Sequence, residues 1–315
     1  MDSGDHSQHT PLEVLVNYHR ERMLFHHFLY FANLIGTVLA VWLWISHEIV
    51  PSTFGLPGAL ALLSGLGITV GFHRLITHRS FETSAPIRFV FAVLGCLAGQ
   101  SFFHWVAWHR RHHQFADSHG DPHSPEAEGS FFTRLRTAFD AHAGWFYREK
   151  PDFERFIPDL IQDPIYSFVE KTRDFWLLLG MVIPAVVLGL TLRSWEGAFL
   201  GFLWGGPVRI FVVNQITFSV NSICHLWGSR PFQTNDGSRN NPVVGVLALG
   251  EGWHNNHHAF PSSARQGLQW WQLDISYLVI RCMEILGLAW NVHRPFPEEV
   301  ERRRVNPNGG IKDST

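Results

Sequence analysis

Three imidazoles stand within five residues in His109-Arg110-Arg111-His112-His113, and this is where the chain most plainly offers chemistry. On a helix the spacing i, i+3, i+4 sets all three on one face within about one turn. Clustered imidazoles gain little from packing and repel one another once protonated. Neutral imidazole is, however, the commonest side-chain ligand for transition metals. The pattern returns in His254-Asn255-Asn256-His257-His258, a looser pair, His73 and His78, lies upstream, and His225 stands just before the last cluster. Nine histidines in four places are too many for one ion and suit two. A packed or solvated histidine explains any single cluster, but not four. The expected chemistry is that of a two-metal site, and an imidazole-only set suits iron, zinc or copper without choosing among them.

Two metals beside an apolar crevice suggest redox or hydrolytic work on a lipid-like substrate. Hydrolysis would also want a carboxylate near the metals. Asp121 and Glu251 are available for that role, or equally for hydrogen bonding to ligand histidines. His119 and His123, in His119-Gly-Asp-Pro-His123, are further ligand candidates. His26 and His27 have no such pattern around them and read as solvated or interfacial.

Composition removes other classes. The chain has 315 residues, with 25 Lys and Arg against 27 Asp and Glu, so no basic excess points to nucleic acid. Cys96, Cys224 and Cys282 are widely spaced, without a CxxC, which indicates neither a disulfide framework nor a thiolate metal site. A mean hydropathy near zero is an average over very apolar and very polar stretches.

The elements that must position the histidines follow from that patchiness. Residues 1–27 are polar and lack the pattern of a signal peptide. Residues 28–46 are almost purely apolar, with Tyr30, Trp42 and Trp44 towards the ends as in an interfacial belt. After a Pro/Gly break at 51–57 comes a second apolar run, 56–72, close to the minimum spanning length. A second hairpin is expected from runs at 175–192 and 197–220. Pro184 is tolerable inside a span. Arg209 and Asn214 inside the last run either tie helices together or meet substrate. The run 86–106 is expected to be interfacial or buried, because a third span would put His73 and His78 across the bilayer from His109–His113. The parity is supported by charge. Two Lys and Arg lie in 1–27, twelve in 73–174 and nine in 219–315, leaving Arg193 on the other side. The positive-inside rule then puts both termini and all nine histidines on the cytoplasmic side. The fold expected is an all-α integral membrane protein, a single domain over 28–296. Four transmembrane helices form two hairpins beneath a cytosolic helical cap of residues 73–174 and 221–296, which holds the two-metal site. The tail 297–315 is expected to be disordered.

His73-Arg-Leu-Ile-Thr-His78, His109-Arg-Arg-His-His113, Asn221-Ser-Ile-Cys-His225 and Gly250-Glu-Gly-Trp-His-Asn-Asn-His-His258 resemble the histidine boxes of the membrane fatty acid desaturases, most nearly the acyl-CoA Δ9 (stearoyl-CoA-type) branch. The resemblance runs from about residue 30 to 290. It implies a four-span fold with a cytosolic cap and a di-iron centre of nine histidines. His73, His78, His109, His113 and His257 would hold one iron, and His112, His225, His254 and His258 the other, with Asn221 completing the second site through a water. Asp121 and Glu251 would then support ligand histidines. The implied reaction uses O2, and electrons from a ferredoxin, rubredoxin or cytochrome b5 type of carrier, to remove hydrogens from unactivated methylenes and leave a cis double bond. No side-chain base can deprotonate an alkane, so the protein's own task is to hold the chain in a dry tunnel where one carbon pair meets the oxidant. Tunnel depth in the family is set upstream of the first box. Ala61 and Gly65 are small there and, with Phe218, are the candidate tunnel residues, although small residues also simply let helices pack.

This chain departs from the acyl-CoA pattern in two places. Gln100-Ser-Phe-Phe-His-Trp-Val-Ala-Trp108 replaces the polar and charged residues that precede the second box. Ser124-Pro-Glu-Ala-Glu128, followed by a longer segment to Gly144-Trp145, replaces a basic pair. Acidic residues repel CoA phosphates, so acyl carrier protein or an intact lipid joins CoA as an expected acyl carrier. No His-Pro-Gly-Gly haem motif occurs, so the electron donor is expected to be a separate protein. A hydroxylase on the same scaffold is the rival expectation within enzymes, and a histidine-rich metal transporter the rival outside them. Transporters place ligands near mid-span, where this chain is apolar except for Arg209 and Asn214. The absence of fused carriers leans towards a bacterial plasma membrane, with the endoplasmic reticulum as the eukaryotic counterpart.

Overall fold

A computed structural model describes residues 11–46, 51–123, 125, 130–145 and 152–305, with side chains from 28 to 46 and from 53 onward. The side chains of His26 and His27, and residues 124 and 126–129, lie outside the described residues. Most of what is described is helical. The described strands are one antiparallel pair, β1 (Glu82–Thr83) and β2 (Ala289–Trp290).

Four stretches are long and apolar enough to cross a membrane: Phe28–Ser46, Gly55–Thr77, Arg173–Leu192 and Trp195–Leu226. The first belongs to α1 (Pro11–Ser46), so the polar N-terminal segment is not separate from Pro11 onward. Between Pro11 and Gly36 there is no Gly or Pro to interrupt the helix. Only 11% of the first spanning window is buried, against 56% of the last, so α1 lies along the outside of the bundle and the last span forms its centre. The second span is α2 (Gly55–Leu66) running without a break into a π-wound stretch, Gly67–Thr77, that is buried throughout. A Cβ at Gly67 would sit 2.1 Å from the Gly95 nitrogen, so only glycine allows this approach to α3 (Ala85–Cys96).

At 12 residues α3 is about 18 Å long, well short of a bilayer core of about 30 Å. The apolar run 86–106 therefore does not form a third span. It turns at Gly99, whose φ of +78° suits glycine, and resumes as α4 (Phe102–Phe115) under the cap of Ser101, which accepts the His104 N–H. Beyond α4 come α5 (Phe131–Phe139), a π turn at Asp140–Gly144, and the short helices α6 (Phe153–Phe156), α7 (Pro158–Gln162) and α8 (Pro164–Lys171).

The second hairpin joins α9 (Arg173–Leu192) to α10 (Trp195–Leu203), a π turn (Trp204–Val208) and α11 (Arg209–Leu226). Arg193 closes α9 in the left-handed conformation, and Ser194 caps α10 by accepting the Gly197 N–H. A Cβ at Gly205 would lie 2.2 Å from Pro184 Cγ, so the proline inside α9 seats against a glycine of its neighbour. Arg209 ties helices together, donating to Ser64 Oγ at 2.7 Å, the Leu97 carbonyl at 2.8 Å and the Gly205 carbonyl at 2.5 Å.

The cap is completed by α12 (Pro242–Leu247), α13 (His254–Ala259), α14 (Ile275–Ile285) and α15 (Pro297–Arg303). That last helix corrects the expectation of a disordered tail from residue 297. Arg303 donates to the Ala259 carbonyl and lies 4.9 Å from the Phe260 ring, while Arg304 bridges Phe232. These docking contacts were invisible in a merely polar sequence.

Candidate metal centre

Each histidine cluster reaches the site by a different backbone device. In an α-helix, residues five apart point about 140° away from each other. His73 and His78 share a face because the backbone there is π-wound, with i→i+5 hydrogen bonds. The His78 N–H donates to the His73 carbonyl at 3.0 Å, and the two rings lie 4.8 Å apart. His109, His112 and His113 use ordinary α winding on α4. His225 ends α11. His254, His257 and His258 lie on α13, which at six residues is too short to be stable alone. The asparagines between them hold it. Asn255 bonds Phe232 on both its N–H and carbonyl, and Asn256 donates to the Gln266 carbonyl at 2.7 Å and Gln272 at 2.9 Å.

The nine histidines gather into two sets, His73, His78, His109, His113 and His257 in one, and His112, His225, His254 and His258 in the other. In the first, Nε2 atoms lie 2.9 Å apart for His113–His257, 3.1 Å for His109–His113 and His78–His109, and 3.2 Å for His73–His257. In the second they lie 3.0 Å apart for His225–His254 and His254–His258, and 3.3 Å for His112–His258. Ligands about 2.1 Å from a shared ion at right angles would be about 3.0 Å apart.

Proton placement separates these contacts from ordinary hydrogen bonds. His112 Nδ1 faces Asp121 at 2.9 Å, His225 Nδ1 faces Asp117 at 3.0 Å and His258 Nδ1 faces Asp236 at 2.8 Å. A carboxylate only accepts, so the imidazole proton belongs on Nδ1 and the Nε2 carries a lone pair. His112 and His258 thus point lone pairs at each other, which repel unless a cation lies between them. The residues present fit a metal.

The electrostatics keep the ligand form. Burial first, and neighbouring imidazoles second, hold His78, His109, His113, His254 and His257 well below the usual imidazole range. Burial likewise takes His258 down to about 4 and His123 to about 3. For His112 burial works the same way, but the Asp121 carboxylate outweighs it and raises the group, making it a more basic donor. Burial would raise Asp121, yet His112 and the His123 backbone amide hold it well below the usual carboxylate range. Glu251 is lowered too, as His73 and Arg74 overcome its burial. Arg74 is itself fully buried and shared between Glu251 at 3.2 Å and Asp274 at 2.8 Å.

An apolar cavity of about 270 Å³ runs from the spanning helices to both sets, reaching His73 and His109 of one and His254 of the other. Ala61, Gly65 and Phe218 line it, as does Asn221, one turn before His225. Asn214 also lines it, held by Gln100 at 2.5 Å and the Ala98 carbonyl at 3.1 Å. His123 is buried against the His112 ring at 4.4 Å and forms with His112 and Asp121 a third group that could hold an ion, while His119 is exposed. Sequence reasoning missed Asp117, Asp236, Arg74 and Gln266. Asp117 follows His112 by five residues and could have been suspected. Asp236 is 22 residues from its histidine, with no local signal.

Residues 51–281, most of the chain, match the sequence profile of the fatty acid desaturases. This chain belongs to the fatty acid desaturase family. The desaturase is 41% identical over 276 residues to the hex-5-enoyl-[acyl-carrier protein] acetylenase of Moorena producens, which covers 86% of each chain. It is 43% identical over 245 residues to the Delta-9 acyl-lipid desaturase 1 of Arabidopsis thaliana, covering 77% of this chain and 75% of the relative. It is 39% identical over 248 residues to the icosanoyl-CoA 5-desaturase of Limnanthes douglasii, covering 78% and 66%. The desaturase is an oxidoreductase of acyl chains, associated with a membrane through its four apolar helices.

Proposed function

We propose that this enzyme is an O2-dependent di-iron desaturase that introduces a cis double bond, at the Δ9 position, into a long saturated acyl chain. His73, His78, His109, His113 and His257 hold one iron, and His112, His225, His254 and His258 the other, with Asn221 assisting through a water. The observation that carries the reading is the pair of converging imidazole sets, three of whose rings are oriented by aspartates and whose His73, His109 and His254 line an apolar cavity. When bound, the iron pair supplies the redox chemistry with O2 that unactivated methylenes require and that no side chain offers.

The chain's own residues do the rest. Asp117, Asp121, Asp236 and Glu251 hold protons on Nδ1 of His225, His112, His258 and His73, fixing each ring's orientation. Apolar walls exclude water and align one carbon pair with the site. Ala61 and Gly65 keep the cavity deep, and Phe218 packs beside Trp108 and Trp145 along it. The acyl group arrives on CoA, acyl carrier protein or a lipid, the three carriers for which its relatives are named. A separate ferredoxin, rubredoxin or cytochrome b5 type of protein supplies electrons. The charge asymmetry supports a site on the cytoplasmic face.

The test is gas chromatography–mass spectrometry of total fatty acids from cells expressing the enzyme with a compatible electron donor, beside a His112→Ala/His257→Ala control. Monounsaturated chains that vanish in the control support the reading, and derivatisation gives the bond position. Hydroxylated chains instead would replace it with a hydroxylase.

A further inference from the structure

The segment between Asp121-Pro-His123 and Gly144-Trp145 contains a helix whose amphipathicity is turned inside out. At about 100° per residue, Phe131, Leu135, Phe139 and Phe132 of α5 share an arc of roughly 100°. Arg134 and Arg136 flank that arc, and Thr133 and Thr137 lie opposite. In a helix packed on a water-soluble body the apolar arc would face inward. Here Phe131, Phe132, Leu135 and Phe139 are 73%, 79%, 57% and 67% exposed, whereas Thr133 and Thr137 are half-buried. Four large apolar side chains on nine residues need a non-aqueous cover.

The position of α5 says what that cover is. The π turn that follows it is pinned to the last span by His142, which bonds Ser222 Oγ at 2.9 Å and Gln215 Oε1 at 3.0 Å. Gln215 in turn donates to the Tyr30 hydroxyl on the first span. The anchor therefore lies one turn below His225, where the spans leave the bilayer. At the same level α12 packs Val244 against Val220 and Cys224 and turns Val243 (67% exposed), Val246 and Leu247 outward. Two separate elements beside the same turn of α11 thus present apolar faces, as expected where a lipid surface meets the protein.

We propose that α5 lies in the plane of the bilayer as an interfacial anchor, with an anionic phospholipid surface as its partner. Phe131, Phe132, Leu135 and Phe139 enter the boundary between headgroups and acyl chains, and Arg134 and Arg136 reach lipid phosphates from either side of the arc. Because α5 leads through the π turn directly into Trp145 on the cavity wall, it seats that wall at the headgroup layer. The inference rests on membrane association alone and stands whichever acyl carrier is used.

The test uses the full-length, iron-loaded enzyme in nanodiscs of phosphatidylcholine and phosphatidylglycerol, with exposed Cys282 replaced in a Cys282→Ser background. Nitroxide labels are placed singly through Phe132→Cys, Leu135→Cys and Phe139→Cys. Ile35→Cys on the first span serves as the lipid reference and exposed Arg302→Cys as the water reference. The expected result is that the three α5 labels fall between the two references, favouring collision with O2 over a water-soluble nickel chelate far more than Arg302 does. Adding Arg134→Glu and Arg136→Glu shifts them towards the chelate in phosphatidylglycerol-rich discs but not in pure phosphatidylcholine, with iron content unchanged. Labels that match Arg302 overturn the proposal. So does spin–spin broadening between molecules, which would assign the face to a second copy, or protection that appears only when an electron-carrier protein is added.

Discussion

The two histidine sets solve one problem with opposite resources. The set of four orients three of its imidazoles with three separate aspartates, Asp117, Asp121 and Asp236. The set of five has more ligands but, among the described residues, one carboxylate on an imidazole. That is Glu251 under His73, whose charge is shared with Arg74, and His257 meets the neutral Gln266 at 3.4 Å. Many donors make orientation of each less important. Few donors make it essential, because each misplaced lone pair removes a larger share of the metal's ligation. Negative charge also accumulates around the four, offsetting the charge of a bound cation in a buried site.

The largest effects should come from removing ligands unequally. His112→Ala leaves three nitrogens and should empty its set, whereas His109→Ala leaves four and should retain iron, although both lose product. Iron-to-protein ratios in the purified variants check this, and equal retention would break the comparison. Next in size, Asp117→Asn, Asp121→Asn and Asp236→Asn should each weaken iron binding by about 10- to 100-fold, read by competition with a chelator. Gln266→Leu in the other set should change it much less. If the aspartate variants bind iron normally, these carboxylates only support the loop.

Acid should weaken the metal-free protein in a defined window. Folded His258 titrates at about 4, while an unfolded histidine does so near 6.5. Between those values the unfolded chain binds protons that the folded site refuses, so stability is fully present above about 6.5 and falls as pH drops towards 4. Melting temperatures of the apo-enzyme across that range check the sign. A bound metal should keep the curve flat to lower pH, since protons and metal compete for the same nitrogens. The smallest effect on the centre should come from Ala61→Trp or Gly65→Trp. Either should shorten the preferred acyl chain while leaving iron in both sets, as read by product chain length. A Cβ at Gly65 would already lie 3.1 Å from Leu249, so bulk there enters the cavity.

Chain order and residue type were enough to single out the nine histidines that the fold brings together. Two HxxHH motifs on local helical spacing announce themselves, and four apolar runs with one-sided charge give the hairpins. The extents were less legible. The second span was expected to stop at 72, but the helical path continues to Thr77 because π winding carries the chain through His73 and His78 without a break. The C-terminal segment looked structureless because its partners are remote. Arg303 finds the Ala259 carbonyl 44 residues away.

By itself the sequence determined which nitrogens exist, roughly where membrane and cap alternate, and the family. Those are properties of local periodicity and composition. The division of the imidazoles between the sets was legible only through the family resemblance, and it is packing that produces it. That division sends His112 and His113, adjacent on one helix, to different sets. Adjacent residues on an α-helix point about 100° apart, so the partition depends on what each direction meets when α4, α11, α13 and the π-wound second span are packed together. Asp117 and Asp236 come from loops remote in sequence from the histidines they orient, and burial, which exists only in the folded state, holds His78, His109, His113, His254, His257 and His258 in the neutral form.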